Sequence, residues 1–180
     1  MKKILINSLT LLRLPLSIIF DIVLFYEERR VFFCGILFSV IALTDFFDGK
    51  LARYYNSESK IGAVLDAGTD FFFIFTASYI LYTQGLLPAG MIIIILIKFT
   101  EFCLTSYVFN KKLKTDRPLF FDKIGRFVAV ILYAVPLIAI ILHSALHIKL
   151  FNCIVLCAYI TVGFLSAVSL YIRVVKIIRF

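Results

Sequence analysis

Four aspartates carry the chemistry that this sequence can do. The stretch reads Asp45-Phe46-Phe47-Asp48-Gly49-Lys50-Leu51-Ala52-Arg53, then eight residues, Gly62, three residues, Asp66, three residues and Asp70. Spacings of three and four put each pair of carboxylates on one face of a helix. A short turn over residues 56–60 makes those helices antiparallel neighbours, so the two pairs converge. Four carboxylates packed together in a low-dielectric site repel one another unless cations neutralise them. An all-oxygen donor set favours hard divalent ions, Mg2+ or Mn2+, over Zn2+. Two such ions can neutralise a pyrophosphate during displacement at phosphorus. That chemistry suits a nucleotide diphosphate donor. Gly49 and Gly62 lack side chains and Ala52 has the next smallest, so a nucleotide could approach the helix backbones closely. Arg53 offers a planar fork for phosphate oxygens. The bland alternative, helix ends facing water, leaves the apolar and small residues that follow Asp45 and Asp48 unexplained.

The elements that hold these residues must live in lipid. The chain has 180 residues, 62% of them hydrophobic and 20 of them Phe, far more apolar than a water-soluble core requires. Apolar runs of about 20 residues without two-residue alternation are helices, not barrel strands. The expected fold is therefore an all-α polytopic membrane protein, a single domain over residues 1–180, with six transmembrane helices near 8–26, 31–54, 61–83, 88–110, 122–142 and 150–171. Lys and Arg collect on one side, notably Lys111, Lys112, Lys114 and Arg117, which predicts that both termini and the aspartate end face the cytoplasm across a plasma membrane. The start, Met1-Lys2-Lys3-Ile4, superficially suggests a signal peptide. Arg13 and Pro15 interrupt the apolar run, however, and the N-terminus is expected to stay in the mature protein. Cys34, Cys103, Cys153 and Cys157 fall in apolar segments outside any Cys-x-x-Cys pair, and read as buried small hydrophobes. The net charge of +8 sits at span ends, where anionic lipid and not nucleic acid is the partner.

At the aspartate stretch the sequence resembles the CDP-alcohol phosphatidyltransferase family, whose signature is Asp-x2-Asp-Gly-x2-Ala-Arg-x8-Gly-x3-Asp-x3-Asp. Every fixed position of it is present. Asn7, Thr10, Arg13 and Pro15 are similar to the pattern Asn-x2-Thr-x2-Arg-x-Pro that opens many members. The resemblance implies a homodimer that moves a phosphatidyl group from CDP-diacylglycerol to a small alcohol and releases CMP. It also implies that Asp45 and Asp66 bridge two metal ions and that Asp48 completes one site and Asp70 the other. Asp70 would double as the base for the acceptor hydroxyl, and Gly49, Arg53 and Ser59 would contact the cytidine diphosphate. Length and the opening pattern look like phosphatidylglycerophosphate synthases, which makes sn-glycerol 3-phosphate the leading acceptor. Ala67, Phe71 and the stretch Asp122-Lys123-Ile124-Gly125-Arg126 depart from their pattern. Inositol phosphate, serine or phosphatidylglycerol therefore stay open as acceptors.

Other charges are less specific. Lys98 and Glu101, three apart within the fourth span, read equally as an ion pair or as substrate contacts. Arg117, Lys123 and Arg126 either bind an acceptor phosphate or anchor the fifth span at the interface. Asp-rich motifs also serve membrane prenyltransferases, but those leave the glycine, alanine and arginine positions unaccounted for. A non-catalytic metal transporter would distribute ionisable groups across the membrane, whereas here they cluster at the ends of two spans.

Overall fold

The computed structural model describes residues 2–26, 30–54, 60–113 and 122–179. These residues form six α-helices: α1 (Lys2–Tyr26), α2 (Arg30–Tyr54), α3 (Lys60–Thr83), α4 (Ala89–Leu113), α5 (Lys123–Ala145) and α6 (Ile148–Arg179). The helices agree with the apolar runs except at two ends, where α1 starts at Lys2 instead of residue 8 and α6 reaches Arg179 instead of residue 171. Hydropathy marks the stretch that lipid must cover, whereas helical hydrogen bonding continues into the charged ends beyond it. Among the described residues, four segments are long and apolar enough to cross a membrane: Ile61–Thr83, Ala89–Lys111, Lys123–Ala145 and Ile148–Ile178. In α2 the apolar stretch is shorter, Val31–Phe47, because the acidic motif begins within it.

Helix α3 is central and packs on α1, α4 and α5; α1 also lies along α2, and α6 closes the bundle against α4 and α5. The sequence dictates these faces by three-four spacing. Thr10, Arg13, Ser17, Phe20 and Leu24 make the buried stripe of α1, and Phe73, Ala77 and Leu81 that of α3. Phe20 meets Phe73 edge to face with 5.1 Å between centroids, and Phe38 and Tyr133 close on Phe73 from α2 and α5 at 6.1 and 5.1 Å.

The connection from α3 to α4 is a tight helix stop. Gly85 takes a left-handed φ of 73°, and the Leu86 N–H donates to the Leu81 carbonyl at 2.8 Å while the Gly85 N–H donates to that of Tyr82 at 2.9 Å. This pairing caps orphan carbonyls at the helix end and suits a residue without Cβ. At the opposite end of the bundle the Asp122 side chain caps α5 by accepting from the Gly125 N–H at 2.7 Å.

Burial is inverted relative to a protein in water. Arg13, Lys98, Glu101, Asp122 and Arg173 are buried, whereas Phe32, Phe46, Ile97, Val130, Phe164 and Tyr171 are exposed. Such an outer surface is stable only in lipid, and ionisable groups turned inward are the pattern of a multi-pass membrane protein. Phe73 is 1% exposed at the junction of α1, α2, α3 and α5. Phe73→Ala is expected to cost about 3–5 kcal/mol, read as a lower apparent melting temperature in detergent; an unchanged melting temperature would mean that this aromatic junction does not hold the bundle.

Candidate active site

Of the four aspartates, Asp45, Asp66 and Asp70 converge, and α1 supplies a partner for them. Arg13 extends its guanidinium between α2 and α3. Nη1 stands 3.0 Å from Asp45 Oδ1 and 2.6 Å from Asp70 Oδ1, and Nη2 stands 2.6 Å from Asp66 Oδ1. Pro15, inside α1, has no N–H to offer the Leu11 carbonyl, which loosens the ladder around Arg13. One turn on, the Ser17 hydroxyl donates to the Arg13 carbonyl at 2.7 Å. Asp45, Asp66 and Asp70 each offer an oxygen, and these atoms lie within 4.8 Å of one another. The donor set is all carboxylate, with neither sulfur nor imidazole. Among the described side chains, three carboxylates face one guanidinium, an excess of negative charge. Both features fit hard divalent cations.

The remaining expected positions are distributed unevenly. Asp48 continues the same helical face of α2, but its side chain and those of Ala52 and Arg53 lie outside the described residues, as do Ser59 and Arg117 entirely. Gly49 is half-buried, and a methyl built on it would meet nothing within 4 Å, so its flank is open. Gly62 is half-buried in the first turn of α3. Lys123 and Arg126 are exposed on α5.

A cavity opens beside the carboxylates between α3, α4, α5 and α6. Asp66, Asp70, Ala63 and Ala67 line one wall, and Lys98 and Arg173 reach it from α4 and α6. Neither Lys123 nor Arg126 lines it. Phe71 and Phe99, stacked at 3.9 Å between centroids, add an apolar wall. The departure at Phe71 from the synthase pattern therefore places an aromatic ring against this cavity.

Behind the cavity, Lys98 and Arg173 belong to a closed polar ring. Lys98 donates to Glu101 at 2.6 Å and to the Ser169 hydroxyl at 2.8 Å, and Ser169 donates to Asp122 Oδ2 at 3.0 Å. Arg173 donates through Nε to Asp122 Oδ1 at 2.5 Å and through Nη1 to the Thr105 hydroxyl at 2.8 Å, with Glu101 Oε1 3.7 Å from Nε. Two cations balance two anions, so the ring is neutral. The departure at Asp122 and Gly125 has its reason here, because a methyl on Gly125 would run into the Asp122 carboxylate and the Ser169 hydroxyl. The open question over Lys98 and Glu101 resolves as a buried ion pair whose lysine also borders the cavity.

Sequence reasoning missed two residues here. Arg13 reads as part of the opening pattern and Arg173 as an ordinary basic residue near a span end. The available signal was periodic: Arg13 continues the stripe of Thr10 and Ser17, and Arg173 stands one turn from Ser169.

Burial acts to raise the Asp122 carboxyl, but Arg173, the Gly125 N–H and the Ser169 hydroxyl together hold it below the usual carboxylate value. A depressed folded-state value means that its stabilisation is complete above the unfolded value of about 4 and is lost as pH falls through the lower folded value. Asp122→Asn should therefore cost on the order of 3 kcal/mol at neutral pH by removing the nearest anion from the buried Arg173. Below about pH 4 the melting temperatures of variant and parent should draw together; a gap that stays constant down to pH 3 would contradict an ionised Asp122.

Among curated proteins, the chain is 44% identical over 66 residues to the CDP-diacylglycerol--glycerol-3-phosphate 3-phosphatidyltransferase of Cereibacter sphaeroides, covering 36% of this chain and 30% of that protein. The enzyme of the same name from Blochmanniella floridana is 48% identical over 44 residues, 24% of this chain and 23% of that one. That from Wigglesworthia glossinidia brevipalpis is 42% identical over 66 residues, 36% of each chain. The alignments thus span between 23% and 36% of these relatives. A sequence model of the CDP-alcohol phosphatidyltransferase family matches residues 3–177. With the match running over nearly its whole length, the chain belongs to the CDP-alcohol phosphatidyltransferase family.

Proposed function

We propose that this protein transfers the phosphatidyl group of CDP-diacylglycerol to sn-glycerol 3-phosphate and releases CMP. The observation that carries this reading is the convergence of Asp45 with Asp66 and Asp70, the latter two lining a cavity that Lys98 and Arg173 also border. Carboxylates that gather cations and a pair of cationic groups that suits an anionic acceptor stand together at one reaction space. The names of the three relatives support glycerol 3-phosphate as that acceptor.

In this reading Asp45, Asp48, Asp66 and Asp70 hold two Mg2+ or Mn2+ ions. When bound, these supply the neutralisation of the pyrophosphate charge. Gly49, Ala52, Arg53, Ser59 and Gly62 take the cytidine diphosphate part of the donor. Asp70 is the least exposed of the three described carboxylates, 32% against 45% and 46%, and lines the cavity. It accepts the proton of the acceptor hydroxyl as the oxygen–phosphorus bond forms and the bond from phosphorus to CMP breaks. Lys98 and Arg173 orient the acceptor phosphate. Lys123 and Arg126, exposed on the first turn of α5, suit its approach better than its final seat, and Arg117 is a further candidate for that approach. The chain acts as one domain with six membrane-spanning helices. Its termini and site are on the cytoplasmic side of the plasma membrane, and it works as a homodimer.

Purified protein given CDP-diacylglycerol and Mn2+ should release CMP only when an alcohol is added, fastest with glycerol 3-phosphate in a panel that includes inositol phosphate, serine and phosphatidylglycerol. Asp45→Asn or Asp66→Asn should lower that rate on the order of a thousandfold; near-parental turnover in either variant would remove the assignment. Topology gives a separate check in a background without the native cysteines. A cysteine at Lys111 should be labelled only from the cytoplasmic side and one at Gln84 only from outside; the reverse would put the site out of reach of the nucleotide.

A further inference from the structure

The carboxylates come from α2 and α3, yet the group that touches all of Asp45, Asp66 and Asp70 comes from α1. Its exposure is opposite to theirs. Arg13 is 1% exposed, whereas the carboxylate side chains are 46%, 45% and 32% exposed. The guanidinium therefore enters from the packed side of the bundle, and solvent reaches the carboxylates from another. The described contacts of Arg13 with Asp45, Asp66 and Asp70 run to Oδ1 of each aspartate. The base of the arginine is fixed as well: Ser17 bonds its carbonyl, and Phe20, one turn further, is fully buried against Phe73.

Three carboxylate oxygens within 4.8 Å would spread apart without a positive charge between them. A planar fork can bond several at once, which an ammonium on a flexible stem cannot do equally well. Resting on the metal reading above, we infer that Arg13 is a positioning residue that forms the divalent-cation site from its buried side. It holds the three carboxylates in register before any ion arrives and stays behind them when one does. One guanidinium among several carboxylates leaves an excess of negative charge for divalent ions to neutralise.

The opposite account makes Arg13 a stand-in that an ion must displace, and it predicts the opposite sign. Mn2+ binding to the full-length protein in detergent, without donor or acceptor, is measured by the loss of the free-ion paramagnetic resonance signal. Arg13→Gln should weaken Mn2+ binding by roughly 10- to 100-fold, the effect of removing a group that orients metal ligands. Unchanged or tighter binding would overturn the proposal. If the Gln variant does not fold, Arg13→Lys carries the test. It keeps the charge but loses the fork, so Mn2+ should bind more weakly than to the parent and more tightly than to any folded neutral variant; parental affinity would show that the fork is not needed. An absence of Mn2+ binding by the parent protein would instead remove the metal reading itself, and this inference with it.

Discussion

Charge inside an apolar bundle must be answered by charge. The outer surface of this protein is Phe, Ile, Leu and Val, and almost every ionisable group within the bundle is turned inward, where water is scarce and an unpaired ion is costly. Every described contact at the site follows from that constraint. Arg13 among three aspartates, and Lys98 and Arg173 among Glu101 and Asp122, are two solutions to the same problem.

The two solutions differ in how far they go. The ring around Asp122 is balanced, closed by Ser169 and Thr105, and nearly without exposure, so it behaves as a fixed part of the scaffold. Among the described side chains, the aspartate cluster sets three carboxylates against one guanidinium and is partly open, which suits it to cations. One cluster stabilises the arrangement of α4, α5 and α6; the other keeps a demand for cations at the junction of α1, α2 and α3. The cavity lies between them and borrows a wall from each.

This difference also explains what could be read from the sequence. The convergence of Asp45, Asp66 and Asp70 was legible because three- and four-residue spacing fixes a helical face whatever surrounds it, and the same spacing left Lys98 and Glu101 open between an ion pair and substrate contacts. The six helices were legible from hydropathy, apart from the ends of α1 and α6. Arg13 and Arg173 were not, because a basic residue near the end of an apolar run looks the same whether it anchors at an interface or turns inward. Only tertiary packing distinguishes these cases, and it sends Arg173 to the cavity and leaves Lys123 and Arg126 exposed. Asp122 reads as the start of a span, and its bonds to α6 depend on residues 47 and 51 positions away.

The length of α6 has a consequence of its own. Its 32 residues make a rod of about 48 Å, against about 30 Å of hydrocarbon in a bilayer. Arg173 lies about 38 Å along it from Ile148. A helix of that length anchored at Lys149 on one surface is long enough, when it runs along the bilayer normal, to bring its Arg173 end to the level of the far headgroup layer. The reaction space is then a boundary between two phases. In the proposed reaction, a water-borne acceptor enters from one phase while the acyl chains of the donor and of the lipid product stay in the other.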